Sequence, residues 1–342
     1  MKRYVLPLLL AALLTLSACG GSSQPAPAPG GGQPAAKKIT IRLAHEQAAT
    51  HYLTKYIQQW ADDVKAKSNG NVDVQIFPAG QLYKDADSIQ QISGGGLDMG
   101  MAASTYLSNI IPQYKVLDLP FISDGSLEGT KRLVDPAGPV GSQLAKAAEA
   151  KNVKVLGWFS VGGWSLFDTK RPVHTMADMK GLKIRVLGGA PQEKAMEALG
   201  ASAVTLPAPE LVTAIKTGTI DGMIATTFFW DAQLGDVKYG VFAPGLYSNF
   251  IAITIGKKFF DGLPPETQKL LTDTFNAASA DEGKYVADLD AKAIASLKSK
   301  GDDYYPLPAD EIARWKEATK PVYKAMESVI GADIIAKAQA LQ

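Results

Sequence analysis

The chain has 342 residues, a formal net charge of +1 and a single cysteine. Its 35 basic residues balance 34 acidic ones, and no basic stripe is interleaved with aromatic residues, which argues against a nucleic-acid partner. One cysteine excludes an intramolecular disulfide and a cysteine metal cluster.

The amino terminus has the pattern of an export signal. Lys2 and Arg3 precede the apolar run 4–16, which is too short to span a bilayer and is typical of a secretory signal peptide. Small residues then precede Cys19, an arrangement that resembles the lipobox of bacterial lipoproteins. We therefore predict a signal peptide over residues 1–18 and lipidation of Cys19. The alternative is an ordinary signal peptide followed by an incidental cysteine.

The segment after this cysteine predicts a flexible tether. Residues 19–37 are mainly Gly, Ser, Pro, Ala and Gln without apolar periodicity, a composition that buries too little surface to become ordered. About 300 residues remain, a length that predicts two lobes rather than one core. No later apolar run is long enough for a membrane helix. We expect an exported protein, periplasmic or at the cell surface, held at the membrane by its lipid.

The first part of the remaining chain predicts alternating strands and helices. Residues 39–44 alternate in polarity like a strand, 52–64 have helical spacing, and 72–76 alternate again, which predicts a βαβ unit with a parallel strand pair. The later predicted elements are a helix over 85–91 that ends at the glycines 94–96, strands over 97–102 and 116–121, helices over 127–134 and 140–151, and a strand over 153–159.

A second α/β unit is predicted over residues 163–249. Its most informative strand alternates the apolar Leu182, Ile184 and Val186 with Lys183 and Arg185. Arg185 lies near the carboxyl end of this strand, where open α/β sheets bind small ligands. A guanidinium there is a two-pronged donor for a carboxylate. The alternatives are a solvated strand arginine or an ordinary ion pair.

The predicted lobes are discontinuous in sequence. A strand over 250–255 is expected to cross back to the first lobe, and the chain from Pro264 onward is mostly helical. We predict that lobe I contains residues 38–162 and 250–290, and that lobe II contains residues 163–249 and 291–342.

Catalytic and metal-binding motifs are absent from the sequence. The residues around Ser165 lack the second glycine of a nucleophile elbow, and the three histidines are too scattered to indicate a zinc site. We therefore expect neither an enzyme nor a cofactor or metal. His45 and Glu46 differ from the other candidates because they close the first strand at its carboxyl end, which makes them candidate ligand-binding residues.

Several motifs together resemble those of one receptor family. They are FPAGQL at 77–82, GGLDM at 95–99, VLDLPF at 116–121, ADMKGLKIRV at 177–186 and the stretch 210–222. In order and spacing they resemble the DctP-type extracytoplasmic solute receptors of tripartite ATP-independent periplasmic (TRAP) transporters, over about residues 39–329.

The resemblance implies a fold, a mode of action and partners. The fold is the two-lobed α/β fold of periplasmic binding proteins, with crossing hinge strands and a long connecting helix. The receptor closes on a small organic acid and presents it to a small and a large integral membrane subunit, driven by an ion gradient. We expect a monomer. The alternatives are the lipid-anchored binding protein of an ABC importer, a sensor module or a secreted enzyme.

The resemblance also assigns roles to individual residues. The family's carboxylate-binding arginine falls on Arg185. Members that bind sugar acids or dicarboxylates often have a second arginine where this chain has Ser165, and the family's usual asparagine is replaced by Ala225. These departures predict a ligand with one carboxylate and an apolar or aromatic body.

The remaining candidate ligand-binding residues follow predicted strands. From the second unit come Trp164, Ser165, Thr226, Phe228 and Trp230, and Ser104 and Thr105 follow a strand of the first; Tyr106 is a further candidate there. Trp164 is the better single candidate for stacking, because three consecutive aromatic residues at 228–230 cannot all face one cleft. The alternative is that these three pack the base of a helix.

Overall fold

The computed structural model describes residues 38–342 except Thr169, Asp236 and Asn249. Lys38–Gln342 form one compact unit. The predicted signal peptide, the tether and Cys19 lie outside the described residues. Among those that are described, no helix is both long enough and apolar enough to cross a membrane.

Eleven strands are found in the described part of the chain, and they form two sheets. They are β1 Ile39–Ala44, β2 Val72–Phe77, β3 Met99–Ala103, β4 Val153–Ser160, β5 Trp164–Asp168, β6 Lys183–Val186, β7 Ser202–Thr205, β8 Gly222–Thr226, β9 Tyr239–Phe242, β10 Phe250–Gly256 and β11 Asp303–Pro306.

Twelve α-helices accompany these strands between residues 38 and 342. They are α1 Tyr52–Lys67, α2 Asp85–Gly94, α3 Ser104–Leu107, α4 Leu127–Val134, α5 Gly141–Glu149, α6 Ala190–Ala198, α7 Leu211–Lys216, α8 Thr227–Gln233, α9 Lys257–Asp261, α10 Pro265–Lys300, α11 Ala309–Ile330 and α12 Ala332–Gln339. Three 3-10 helices lie at Pro112–Asp118, Met176–Met179 and Ala208–Glu210.

The first sheet has the strand order β2-β1-β3-β10-β4. Strands β1, β2 and β3 are parallel, and β10 is antiparallel to both of its neighbours. Ile41 and Leu43 of β1 are fully buried under α1, whose Ile57 and Trp60 belong to the same apolar cluster. The predicted βαβ unit is therefore confirmed, because β1 and β2 pair in parallel on either side of α1 in the chain.

The second sheet has the order β11-β9-β5-β8-β6-β7. Strands β6, β7 and β8 run parallel, whereas β5 is antiparallel to β8 and β9. Ile184 and Val186 of β6 are buried in a cluster with Met196 of α6. Arg185 lies between these two residues in the strand, so its side chain points to the opposite face of the sheet from Ile184 and Val186.

Two chain segments and one helix join the sheets. Residues 160–164 connect β4 to β5, and residues 242–250 connect β9 to β10; we call these the connecting segments. Helix α10 is 36 residues long and packs against β4 and α1 at the first sheet and against α8 and β11 at the second. The predicted α/β fold with two lobes, crossing strands and a long connecting helix is confirmed.

One predicted strand is wrong. Residues 116–121 do not pair with a sheet, because Pro112–Asp118 form a 3-10 helix with a proline in its first turn. Val116, Leu117 and Leu119 are buried. A short buried apolar run has the same appearance in a strand and in a helical turn, so periodicity alone could not distinguish them.

The last helices contact both halves of the molecule. Trp315 of α11 lies in the cluster of Ile184 and Val186, whereas Val322 and Met326 of the same helix lie in a cluster with Leu117. The lobe boundaries proposed from the sequence stay a prediction.

Candidate ligand-binding site

Arg185 is a buried cation whose nitrogen Nη2 has no partner among the described residues. It lies in β6 between Val204 of β7 and Met223 of β8, and only 2% of its surface is exposed. Its Nε donates to the Leu206 carbonyl at 2.9 Å, and Nη1 approaches the Ile224 carbonyl at 3.4 Å. Nη2 is buried and has no hydrogen-bond partner among the described residues. The alternative of a solvated strand arginine is therefore wrong.

The charge of Arg185 is not neutralised by a direct ion pair within the described part of the chain. Burial lowers the pKa of Arg185 to about 10, while the nearby Tyr106 and Glu46 act in the opposite direction. The guanidinium therefore stays protonated at neutral pH. A buried charge without a counter-ion is costly, so an anion that contacts Nη2 would be strongly favoured.

His45, directly after β1, is a neutral polar group and the chain neighbour of Glu46. Its side chain is fully buried, and neither ring nitrogen has a partner among the residues described. Burial, together with the charge of His51, lowers the pKa of His45 to about 4. A neutral imidazole offers one donor and one acceptor, so His45 can bind a hydroxyl or carboxyl oxygen but supplies no positive charge at pH 7.

Asp85, which is buried, and Glu46, which is partly buried, form a pair of acids. The Glu46 backbone N–H donates to Asp85 Oδ1 at 2.8 Å, and the Asp85 N–H donates to Glu46 Oε2 at 3.4 Å. Burial raises the pKa of Glu46, and burial plus the charge of Glu46 raises the pKa of Asp85 well above its usual value. Like charges held together disfavour double ionisation. This side of the site therefore disfavours a second anionic group.

Three of these groups share one electrostatic neighbourhood. The charges of Glu46 and Arg185 act on each other's pKa, and both act on Tyr106. Burial is the largest influence on the Tyr106 phenol and raises its pKa to about 12. We use the name Arg185 site for Arg185, His45, Glu46 and Tyr106.

Trp164, the first residue of β5, contacts the apolar clusters of both sheets. Its indole N–H is buried and has no acceptor among the described residues. The ring lines a void of about 10 Å³ together with Leu187 and Gln192. An unpaired donor next to ring surface is compatible with the predicted stacking role.

A buried polar network bridges the two halves near this void. Thr105 donates to Asp118 Oδ1 at 2.6 Å, and Gln192 Nε2 donates to the same oxygen at 3.1 Å. Burial raises the pKa of Asp118 to about 6, although both hydrogen bonds oppose this shift. The Thr105 hydroxyl is thus committed to Asp118. Sequence analysis missed Gln192, whose only signal was a polar residue directly after Pro191 at a helix start.

Three predicted site residues have structural partners. Ser165 is buried, and its hydroxyl lies 3.0 Å from that of Thr227. Thr226 caps α8 by accepting the Phe229 N–H at 3.3 Å. Ser104 is buried at the start of α3.

The aromatic residues of α8 separate as their helical spacing requires. Phe228 is partly buried and meets the Tyr52 ring of α1 edge-on at 5.7 Å. Trp230 lies in the core instead: it packs on Phe167 and donates its N–H to the Val237 carbonyl at 3.0 Å. The prediction that Trp230 lines the ligand site is therefore wrong, because residues two positions apart point to different sides of a helix.

Comparison with known proteins gives a consistent result. The family model described as bacterial extracellular solute-binding protein, family 7 (DctP) matches residues 43–329. Over 264 residues the chain is 29% identical to the 2,3-diketo-L-gulonate-binding periplasmic protein YiaO of Escherichia coli K12, covering 77% of this chain and 79% of the relative. Over 310 residues it is 27% identical to the C4-dicarboxylate-binding periplasmic protein DctP of Rhodobacter capsulatus, covering 89% and 91%.

A solved structure agrees with these relatives. A TRAP periplasmic solute-binding protein of Ochrobactrum anthropi, whose C terminus is bound in its ligand-binding pocket, superposes with a TM-score of 0.80 at 29% identity. The match covers 89% of this chain and 95% of that one.

Proposed function

We propose a transport role for this chain, which belongs to the DctP family of bacterial extracellular solute-binding proteins. It is the extracytoplasmic receptor of a TRAP transporter: it captures a small organic acid between its two lobes and delivers it to the membrane permease. The relatives named for 2,3-diketo-L-gulonate and for C4-dicarboxylates support an acidic ligand.

The observation that carries the proposal is the state of Arg185. Its guanidinium is 2% exposed, its Nη2 lacks a described partner, and no described carboxylate neutralises it directly. Arg185 therefore lacks a counter-charge and an acceptor for Nη2. A ligand carboxylate supplies both, because it carries a negative charge and a planar pair of acceptor oxygens. Such a charge-assisted pair contributes about 1.5–3 kcal/mol net.

The groups around Arg185 favour a ligand with one carboxylate and an apolar or aromatic body. Ser165 and Ala225 are uncharged, and His45 is neutral at pH 7. The partly buried Glu46 and the buried Asp85 would oppose a second ligand carboxylate. The unpaired N–H and the ring of Trp164 suit a body with both an acceptor and apolar surface. The relative named for C4-dicarboxylates makes a dicarboxylate the competing ligand class.

Capture requires no bond to be made or broken. The connecting segments and α10 join the two sheets in the manner of a hinge, so closure would bring residues of the first sheet, such as Glu46, against Arg185 of the second. Binding selects the closed arrangement, and the measured affinity is the surplus that remains after the costs of closure and ordering.

Location and partners complete the proposal. The exported protein is anchored through lipidated Cys19 and the tether 19–37, at the cell surface or in the periplasm. It acts as a monomer that meets a small and a large integral membrane subunit.

A thermal-shift screen of the purified protein against mono- and dicarboxylates tests this function. Ligand that binds only the folded state stabilises it by about 2.7 kcal/mol at a hundredfold excess over Kd. We expect one aromatic or branched monocarboxylate to raise Tm more than succinate does. Lys183→Ala, which removes an exposed cation of the same strand, should leave this shift unchanged.

The screen has two outcomes that count against the proposal. If no carboxylate raises Tm, the receptor function as stated is wrong. If succinate gives the largest shift, the function stands and the proposed ligand class is wrong.

A further inference from the structure

A second cavity lies beside the connecting helix. It has a volume of about 250 Å³ and is bounded by α10, by both connecting segments and by the start of α4. We call it the α10 cavity. Its lining residues include Ser126, Ser160, Gly163, Trp164, Phe242, Tyr247, Phe250, Val286, Ala287 and Asp290, but none of the four residues of the Arg185 site.

The charge in this cavity is negative. Asp290 is the one charged residue among the described residues that line it. Its Oδ2 accepts the Gly163 N–H, whereas its Oδ1 is buried and has no partner within the described residues. Burial, opposed by the hydrogen bond from Gly163, raises the pKa of Asp290 to about 6. At neutral pH the cavity therefore contains mainly an ionised carboxylate without a cation to neutralise it.

The walls of the cavity are rich in aromatic rings. Trp164, Phe242, Tyr247 and Phe250 all line it. Aromatic ring faces attract cations, most strongly where water is excluded, and such walls are suited to alkylated ammonium groups. The Ser160 hydroxyl, which accepts the Gly162 N–H at 3.2 Å, also lines the cavity and can donate to a ligand hydroxyl. Since a water occupies roughly 30 Å³ in the liquid, the cavity has room for a molecule several times larger.

We propose that the α10 cavity is a binding site for a small organic cation, such as an alkylated ammonium that carries a hydroxyl group. The ammonium lies against Asp290 Oδ1 and the aromatic walls. This site shares Trp164 with the proposed acid site, but its charged contact, Asp290, is not part of the Arg185 site, so the proposal does not depend on the identity of the acid bound at Arg185.

Titration calorimetry of the purified protein with choline at pH 7.5 tests the proposal. The matched probe is the uncharged analogue in which carbon replaces the nitrogen of choline, because it has the same shape without the charge. We expect choline to bind and the neutral analogue to bind at least about tenfold more weakly. Absence of choline binding, or equal binding of the two probes, would contradict the proposal.

Variants of α10 locate the bound cation. Asp290→Asn should weaken choline binding at least about tenfold, since it removes the charge but keeps an acceptor for the Gly163 N–H. Asp288→Asn is the matched control because Asp288 is exposed, pairs with Lys292 and does not line the cavity. Unchanged choline affinity in Asp290→Asn would overturn the proposal.

Two further variants keep the test decisive. If Asp290→Asn fails to fold by circular dichroism, Ala287→Lys replaces it, because this exposed lining residue can introduce a competing cation. Choline binding that persists unchanged in Ala287→Lys would then count against the site. Arg185→Ala should leave choline binding intact; its loss there would assign the cation to the Arg185 site instead and overturn the proposal.

Discussion

Arg185 and Glu282 are both buried, and both have an unpartnered polar atom, but burial has opposite consequences for their charge. Glu282 of α10 has no exposed surface; its Oε2 accepts the Ser160 N–H at 3.0 Å, and its Oε1 has no partner in the described part of the chain. Burial lowers the pKa of Arg185 to about 10 and raises the pKa of Glu282 to about 8. At pH 7 the arginine therefore remains charged and the glutamic acid is mostly neutral.

This difference separates the proposed binding group, Arg185, from a structural one, Glu282. Arg185 retains a charge that its described surroundings leave unneutralised, so a ligand can stabilise it. Glu282 loses its charge and needs only hydrogen bonds, one of which it makes to a connecting segment. The same desolvation leaves a permanent charge where the intrinsic pKa is high and a titrating group where it is low.

Of the changes considered, removal of the Arg185 side chain should have the largest effect, a loss of affinity for the acid ligand. Arg185→Ala is expected to weaken binding of the acid found in the thermal-shift screen by about 2–4 kcal/mol, or roughly 30- to 1,000-fold. Titration calorimetry measures the loss. Arg185→Lys should also bind more weakly than the unmodified protein, since a point charge lacks the two-pronged geometry. Unchanged affinity in Arg185→Ala would mean that the buried cation is structural.

Changing Trp164 should have a smaller and more selective effect. Trp164→Ala is expected to weaken phenylacetate binding by about tenfold, because ring contacts are worth about 0.5–1.5 kcal/mol beyond their buried area. Acetate binding, measured by the same calorimetry, should change little. Trp164→Phe should restore most of the phenylacetate affinity. Equal losses for both acids would show that Trp164 supports the fold rather than a ligand body.

The strand position of Arg185 was predictable from the sequence, whereas its hydrogen-bond partners and neighbouring acids were not. Alternation in 182–186 placed Arg185 in a strand, and the family resemblance, which the family match confirmed, assigned it to a carboxylate. Its unpartnered Nη2 was not predictable, because hydrogen bonds to Leu206 and Ile224 depend on how β6 meets its neighbours. The polar character of Glu46 was visible, but its pairing with Asp85, 39 residues away, was not.

The failures have a common physical cause. Trp230 was a pocket candidate because of its residue type, but its orientation on α8 places it against Phe167. The segment 116–121 has the composition of a strand, but its first three residues end the 3-10 helix Pro112–Asp118. In both cases the outcome depends on tertiary contacts, whereas the sequence pattern reports only local polarity. The burial of Glu282 was likewise not predictable, since the burial of one acid on a long helix leaves no local sequence signal.

The smallest expected effect is a change in the pH dependence of Tm when Glu282 is replaced. It tests whether Glu282 is protonated in the folded protein. Its pKa in the folded protein, about 8, lies above its ordinary value of 4.5. The folded state therefore binds the proton more tightly, and the stabilisation is fully present below about pH 4.5 and is lost as the pH rises through about 8. Glu282→Gln, which resembles the protonated acid, should reduce the fall in Tm between pH 5 and pH 8.5 by at least about 2 °C.

Two features of the molecule make this measurement specific. Glu266→Gln changes an exposed acid of the same helix and should leave the pH dependence as it is. His45 contributes equally to both variants and cancels when their melting profiles are compared; its lowered pKa, about 4, affects stability where the pH falls below its ordinary value of 6.5. Stability then decreases toward acid, opposite in sign to the contribution of Glu282. If Glu282→Gln and Glu266→Gln gave the same melting profile, Glu282 would be ionised in the folded protein, and its contrast with Arg185 would disappear.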